Sequence, residues 1–224
     1  MCTDRVNHVL EAPMKESIRD KRETEIAKAA YDVIESKGYS GASMLSIARK
    51  ARASNETLYN WYGDKTGLFR ALIVRNTYEV RDHLEKTARK NLPPLQVFRK
   101  TGPVLLTMLL GDRAIALNRA AAADTTGTLG QALADAGRDT VAPLIGEVLR
   151  AARSNGDLAF EDLEAALESY IGLLVGDLQI RRVTGALGPL SETEISKRCK
   201  QAEVHFLRLF APVSHTKTPP RSEL

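Results

Sequence analysis

Cysteine is nearly absent from this chain: Cys2 and Cys199 are the only two in 224 residues. A single distant pair gives no disulfide framework, so an apolar core must hold the fold. Histidine is almost as scarce, and none of His8, His83, His205 and His215 pairs with another histidine or a cysteine at metal-ligand spacing. Cys199 and His205 lie six residues apart, which turns them to different sides of a helix. No Gly-rich phosphate loop, GxSxG elbow or CxxC occurs. The chain therefore lacks a catalytic constellation, and neither enzyme activity, a cofactor nor a metal is expected. Cys199 reads as a small apolar residue, with a redox sensor as the alternative. Aromatic residues make up 5% of the chain, and no apolar run approaches the roughly 18 residues of a membrane span. The N-terminus mixes charges and has no apolar core, unlike a secretory signal. These absences point to a cytoplasmic protein.

What is present is helical periodicity, and the fold class it predicts is all-α. Ile26, Ala30, Val33 and Ile34 mark one face of a first helix closed by Gly38. Met44, Leu45, Ile47, Ala48 and Ala51 give a second apolar stripe, over Met44 to Ala51. Ser54 offers an N-cap to a very short helix, Asn55 to Trp61, in which only Leu58 is purely aliphatic. A further helix is expected from the Asp64 cap to about Lys90, ending before Pro93-Pro94, a pair that reads as a domain boundary. Beyond it, helices are expected over Leu95–Leu110 (bent at Gly102-Pro103), over Asp112–Ala123, and over Thr125–Ser154 with interruptions at Gly137 and Pro143.

Charge is unevenly placed. Residues 1–90 hold 17 Lys and Arg against 13 Asp and Glu, whereas residues 91–224 hold 15 of each. Between Met44 and Arg75, six basic side chains (Arg49, Lys50, Arg52, Lys65, Arg70, Arg75) face two acidic ones, Glu56 and Asp64. The short helix Asn55–Trp61 cannot be stable alone, and its polarity needs a reason. A recognition helix in a DNA major groove, beside basic residues for the phosphates, supplies one.

Over Arg22 to Phe69 the chain resembles the DNA-binding domain of the TetR family of bacterial transcription regulators. The pieces RETEIAKAAYDVIESKGYS, the Ser43-Met44 start leading to Ile47-Ala48, SNETLYNWY and DKTGLF follow in order and spacing. Two positions depart from the pattern: Arg52 stands where the turn usually has glycine, and Thr66 follows the lysine where an acidic residue is usual. The resemblance implies a tail at residues 1–20, a helix-turn-helix domain at 21–67, a ligand-binding and dimerisation domain at 68–212, and a second tail at 213–224. It also implies a ligand-released repressor acting as a homodimer on a palindromic operator, with double-stranded DNA and an unidentified small molecule as partners. By position, Ser43, Tyr59 and Lys65 fall to the phosphate backbone and Asn55, Thr57 and Asn60 to base edges, with Ser54 counted among the DNA-binding residues. Trp61 has two readings, a backbone contact or core packing. Leu58 and Tyr62 belong to the core. Arg19, Lys21 and Arg22 reach the DNA backbone or belong to a tail.

The last two helices carry broad apolar faces. Leu167, Tyr170, Ile171, Leu174 and Leu178 share one side of the first, with Gly172 and Gly176 between them. Ile195, Cys199, Ala202, Phe206 and Leu209 recur at intervals of 4, 3, 4 and 3 in the second. Together they suit a two-fold four-helix interface, the alternative being that both faces are core. NRAAAADTTGTLGQAL, RAARSNGDL and YIGLLVGDLQIRRVTGALG resemble the AefR-like subgroup of C-terminal domains, with Asp124 where that group tends to have glutamate and no proline near Gly127. The rival to the whole reading is an all-helical protein-binding adaptor without operator recognition.

Overall fold

The computed structural model describes residues 7–212; Cys2, His215 and the tail expected at 213–224 lie outside them. In chain order its helices are α1 (Asn7–Gly41), α2 (Met44–Ala51), α3 (Asn55–Tyr62), α4 (Lys65–Asn76), α5 (Tyr78–Arg89), α6 (Pro94–Leu110), α7 (Asp112–Ala122), α8 (Thr128–Leu133), α9 (Asp139–Ser154), α10 (Leu163–Val175), α11 (Leu178–Thr184) and α12 (Glu192–Leu209). A π-helical turn, Ala134–Arg138, joins α8 to α9. Among the described residues there is no strand, so the protein is all-α. No helix there is long and apolar enough to cross a membrane. The expected tail at 1–20 overlaps α1, which takes in residues 7–20.

The chain forms two compact units. The first is residues 7–76 together with Asp112–Gly137, and is thus larger than the segment 21–67. The expected stripe Ile26, Ala30, Val33 and Ile34 is buried against Ile47, Leu58, Phe69 and Leu72, and α7 and α8 add Leu117 and Leu129. Gly38 breaks the helical backbone of α1 with φ 69° and ψ 167°, a conformation open to glycine, although one more turn follows to Gly41. Asp64 caps α4 as expected, its Oδ1 accepting from the Gly67 N–H at 2.7 Å. That helix does not reach Lys90: it stops at Asn76, and Thr77, with ψ −9°, opens the backbone before α5 begins.

The second unit is Thr77–Gly111 with residues 138–212. The proline pair lies inside it. Pro94 opens α6 at the first helical position, where a missing N–H costs nothing, so the pair links α5 to α6 and does not divide the units. Gly137 falls in the π turn and Pro143 inside α9. Three aromatic rings form the centre of the core: Phe98 lies 4.6 Å from Tyr170 and 5.2 Å from Phe206, and Tyr170 and Phe206 are 5.5 Å apart. Gly176, at φ 52°, ends α10 short of Leu178, which instead starts α11. Ser191 and Glu194 close a capping box that starts α12.

Candidate nucleic-acid interface

The helix-turn-helix is assembled by local caps. Ser43 Oγ accepts from the Ser46 N–H at 3.1 Å and Ser46 Oγ accepts from the Ser43 N–H at 3.0 Å, a reciprocal box that starts α2. Met44, Ile47, Ala48 and Ala51 are buried, but Leu45 is 46% exposed and leaves the predicted stripe. At the turn Arg52 adopts φ 52° and ψ 37°, the left-handed backbone that glycine takes most easily, and its N–H meets the carbonyls of Ala48 and Arg49. The Arg52 carbonyl accepts from the Arg22 guanidinium, which also pairs with Glu25. Arg22 therefore fastens α1 to the turn, a structural role that the sequence does not reveal.

Ser54 begins α3 by accepting from the Thr57 N–H at 2.9 Å, and the two hydroxyl groups share a hydrogen bond of 2.7 Å. The Thr57 hydroxyl is thus shared with the cap. Leu58 is the buried anchor of the helix. Asn55, Glu56, Tyr59 and Asn60 are spaced to share the opposite face. All four are exposed, Tyr59 at 48%, and among the described residues none has a side-chain partner. Glu56 places a carboxylate, an acceptor, on that face, which composition and charge alone do not single out.

Trp61 packs on the core. It is half-buried against the core, edge-on to Tyr62 at 6.3 Å, with the Arg19 guanidinium 5.3 Å above its ring. Lys65 is engaged as well. Its ammonium donates to the carbonyls of Tyr39 at 2.8 Å and Ala42 at 2.9 Å, and lies 4.2 Å from the Tyr39 ring centroid. Burial lowers its pKa. Two of its three protons tie α4 to the end of α1, so the phosphate role expected of it shares the group with a structural one. Ser43 is exposed, and since its Oγ is an acceptor in the cap, its own proton is available to a phosphate. The basic patch is thinner than the residue count suggests: Arg70 pairs with Asp135 at 3.2 Å, Lys50 with Asp32 at 3.6 Å, and Arg75 bonds Thr24. Arg49 and the side chain of Arg52 have no partner among the described residues.

The apolar faces of the last helices are mostly core. Tyr170, Leu174, Ile195, Ala202 and Phe206 are buried within the second unit itself, which removes them from any surface offered to a second copy. Of the ten residues expected at an interface, Leu167, Ile171, Leu178 and Cys199 are half-buried and Leu209 is 64% exposed. An apolar repeat marks a face that needs covering and says nothing of what covers it. Burial raises the Cys199 thiol to about 11, so it is held neutral, unlike a redox-sensing thiolate.

Two family models match the chain. Residues 26–72 match the bacterial regulatory proteins of the tetR family, and residues 96–212 match the C-terminal domain of AefR-like transcriptional repressors. No curated protein matches the sequence. Among solved structures, a TetR transcriptional regulator from Agrobacterium tumefaciens is 30% identical, with a TM-score of 0.69 over 86% of this chain and 95% of that one. A TetR-family regulator from Mesorhizobium loti is 23% identical, with a TM-score of 0.70 over 86% and 98% of the two chains. The regulator FadR from Bacillus subtilis, solved with stearoyl-CoA, shares the fold at 13% identity, with a TM-score of 0.67 over 82% and 97%.

Proposed function

The chain belongs to the TetR family of bacterial transcription regulators, and we propose that it is a ligand-released repressor that acts in the cytoplasm as a homodimer on a palindromic operator. The observation that carries the reading is the outward face of α3, where Asn55, Glu56, Tyr59 and Asn60 are exposed and have no partner among the described residues. Uncommitted donors and acceptors on a capped helix suit base edges. Ser43 and Arg49 flank that face and suit phosphates; Arg19 and Lys65 join them with whatever their internal contacts leave over. The division of labour is a reading head at residues 21–67 and a sensing and pairing part at 68–212. Pairing would use the apolar surface that the core leaves uncovered, chiefly Leu167, Ile171, Leu178, Ile180 and Leu209.

Two-fold pairing sets half-sites one helical turn, roughly 34–36 Å, apart or a multiple of it. An effector that binds better to a conformer with the wrong spacing lowers operator affinity by the ratio of its preferences, about 1–3 kcal/mol of coupling. The test is selection of bound duplexes from a random pool, repeated with Asn60→Ala. We expect an enriched palindrome whose preference relaxes at one position per half-site by about 1–3 kcal/mol in the variant. Enrichment of no sequence, or a palindrome indifferent to Asn60→Ala and Asn55→Ala, would sink it in favour of the adaptor.

A further inference from the structure

The second unit contains a cavity of about 150 Å³ where α6, α10 and α12 meet. It is about half open to solvent, and its volume matches that of an engineered apolar cavity that takes up benzene, so it suits a six-membered ring. Phe98, Pro103 and the ring of Tyr170 give it apolar walls. Tyr170 is only 2% exposed, yet its hydroxyl has no hydrogen-bond partner among the described residues. The hydroxyl lines the cavity and is reachable from it.

Gly102 keeps that hydroxyl accessible. A Cβ there would stand 3.2 Å from the Tyr170 oxygen and 3.8 Å from Cys199 Sγ, narrowing the space between α6 and the two facing helices. The cavity edge is charged. Glu203 accepts from Arg99 Nε at 2.7 Å and from Lys200 Nζ at 3.1 Å, so two cations surround one carboxylate and leave a net positive edge. The Arg99 and Lys200 side chains stay largely exposed while Glu203 is nearly covered, which directs the surplus charge outward. The neutral Cys199 thiol adds a soft wall and no nucleophile.

A ring-sized apolar space with a reachable hydroxyl on its wall and surplus positive charge at its edge fits one kind of molecule. On the reading that the chain answers a small effector, we propose that this cavity binds a monocyclic phenolic acid: ring between Phe98 and Pro103, ring hydroxyl on Tyr170, carboxylate toward Arg99 and Lys200.

Calorimetric titration of the full chain with para-hydroxybenzoate, benzoate and phenol tests it. The phenolic acid is expected to bind one per chain and more tightly than either fragment. Tyr170→Phe, which keeps the ring packing, should weaken para-hydroxybenzoate by about tenfold and leave benzoate unchanged, since only the hydroxyl contact is lost. Ser196 lies exposed at the cavity edge, so Ser196→Trp should roof the cavity and abolish binding with the helical circular dichroism intact. No binding of any of the three probes overturns the proposal, as does binding that survives Ser196→Trp. Operator binding is measured on the same preparations. Loss of operator affinity on adding the acid supports both readings. Calorimetric binding without any change in operator affinity supports the cavity and removes the release step, whereas a chain that never selects an operator defeats the regulator reading and leaves the calorimetry to judge the cavity.

Discussion

α3 and α12 differ in where their informative residues point. α3 has eight residues and buries one side chain, Leu58, leaving a polar face with no side-chain partner among the described residues. α12 has eighteen residues, begins with a capping box, and turns Ile195, Ala202 and Phe206 into the core. A polar face without internal partners is informative because satisfied polar groups are the rule in folded proteins. An apolar seam is not, because core and interface use the same side chains. The contrast predicts that changes in α12 act on folding while changes on the outer face of α3 act on binding.

Phe206→Ala should break the comparison most severely. The ring is fully buried against Phe98 and Tyr170, and its loss should cost about 3–5 kcal/mol in urea unfolding. A destabilisation of that size, independent of protein concentration, fits a core residue. A small loss whose midpoint shifts with concentration would return Phe206 to the dimer interface.

Lys65→Met comes next, and it sharpens the α3 side. The ammonium bonds two carbonyls at the end of α1 while remaining partly solvated, so a cost of about 1–2 kcal/mol is expected, below the full value of two charge-assisted bonds. Thermal unfolding of the variant checks it. Unchanged stability with a shallower salt dependence of DNA binding would instead make Lys65 chiefly a phosphate contact.

Most of the helices were legible in the sequence because caps and periodicity are local. Ser43, Ser54 and Asp64 sit where their types predict, and Ile26, Ala30, Val33 and Ile34 are buried as their spacing requires. The breaks at Thr77 and Gly176 were not legible, since a helical apolar pattern runs through both. The long-range bonds of Arg22 and Lys65 were hidden for a different reason. A cation near a recognition helix looks the same in sequence whether it meets a phosphate or a backbone carbonyl. Only the placement of α1, more than twenty residues away in each case, separates the two. The cavity beside Tyr170 depends on three helices distant in sequence and left no local trace.

A smaller effect is expected at the turn that presents α3. Arg52 holds a left-handed backbone, and its contact to Arg22 runs through the carbonyl, which any residue supplies. Arg52→Gly removes the steric cost of the Cβ there and should raise stability by about 0.5–1 kcal/mol, after the extra freedom glycine gives the unfolded chain. A lower melting temperature would mean that the exposed Arg52 side chain contributes more than its backbone costs.

The smallest effect is a pH response of the second unit. His83 and His205 both lie in the second unit, and His83 Nε2 is buried with no hydrogen-bond partner among the described residues. Burial, and secondarily the Lys100 charge, hold the His83 pKa below its ordinary 6.5, with Asp82 partly opposing. The unfolded chain therefore takes up a proton at His83 while the folded chain still refuses it. Stability from this group is complete above about pH 6.5, declines as pH falls from there, and is lost once the folded pKa is passed. We expect the melting temperature of the second unit to decline between about pH 7 and pH 5, and His83→Gln, which cannot titrate, to flatten part of that decline. An identical slope in His83→Gln would assign the pH response to carboxylates and leave the unpartnered Nε2 without an energetic role.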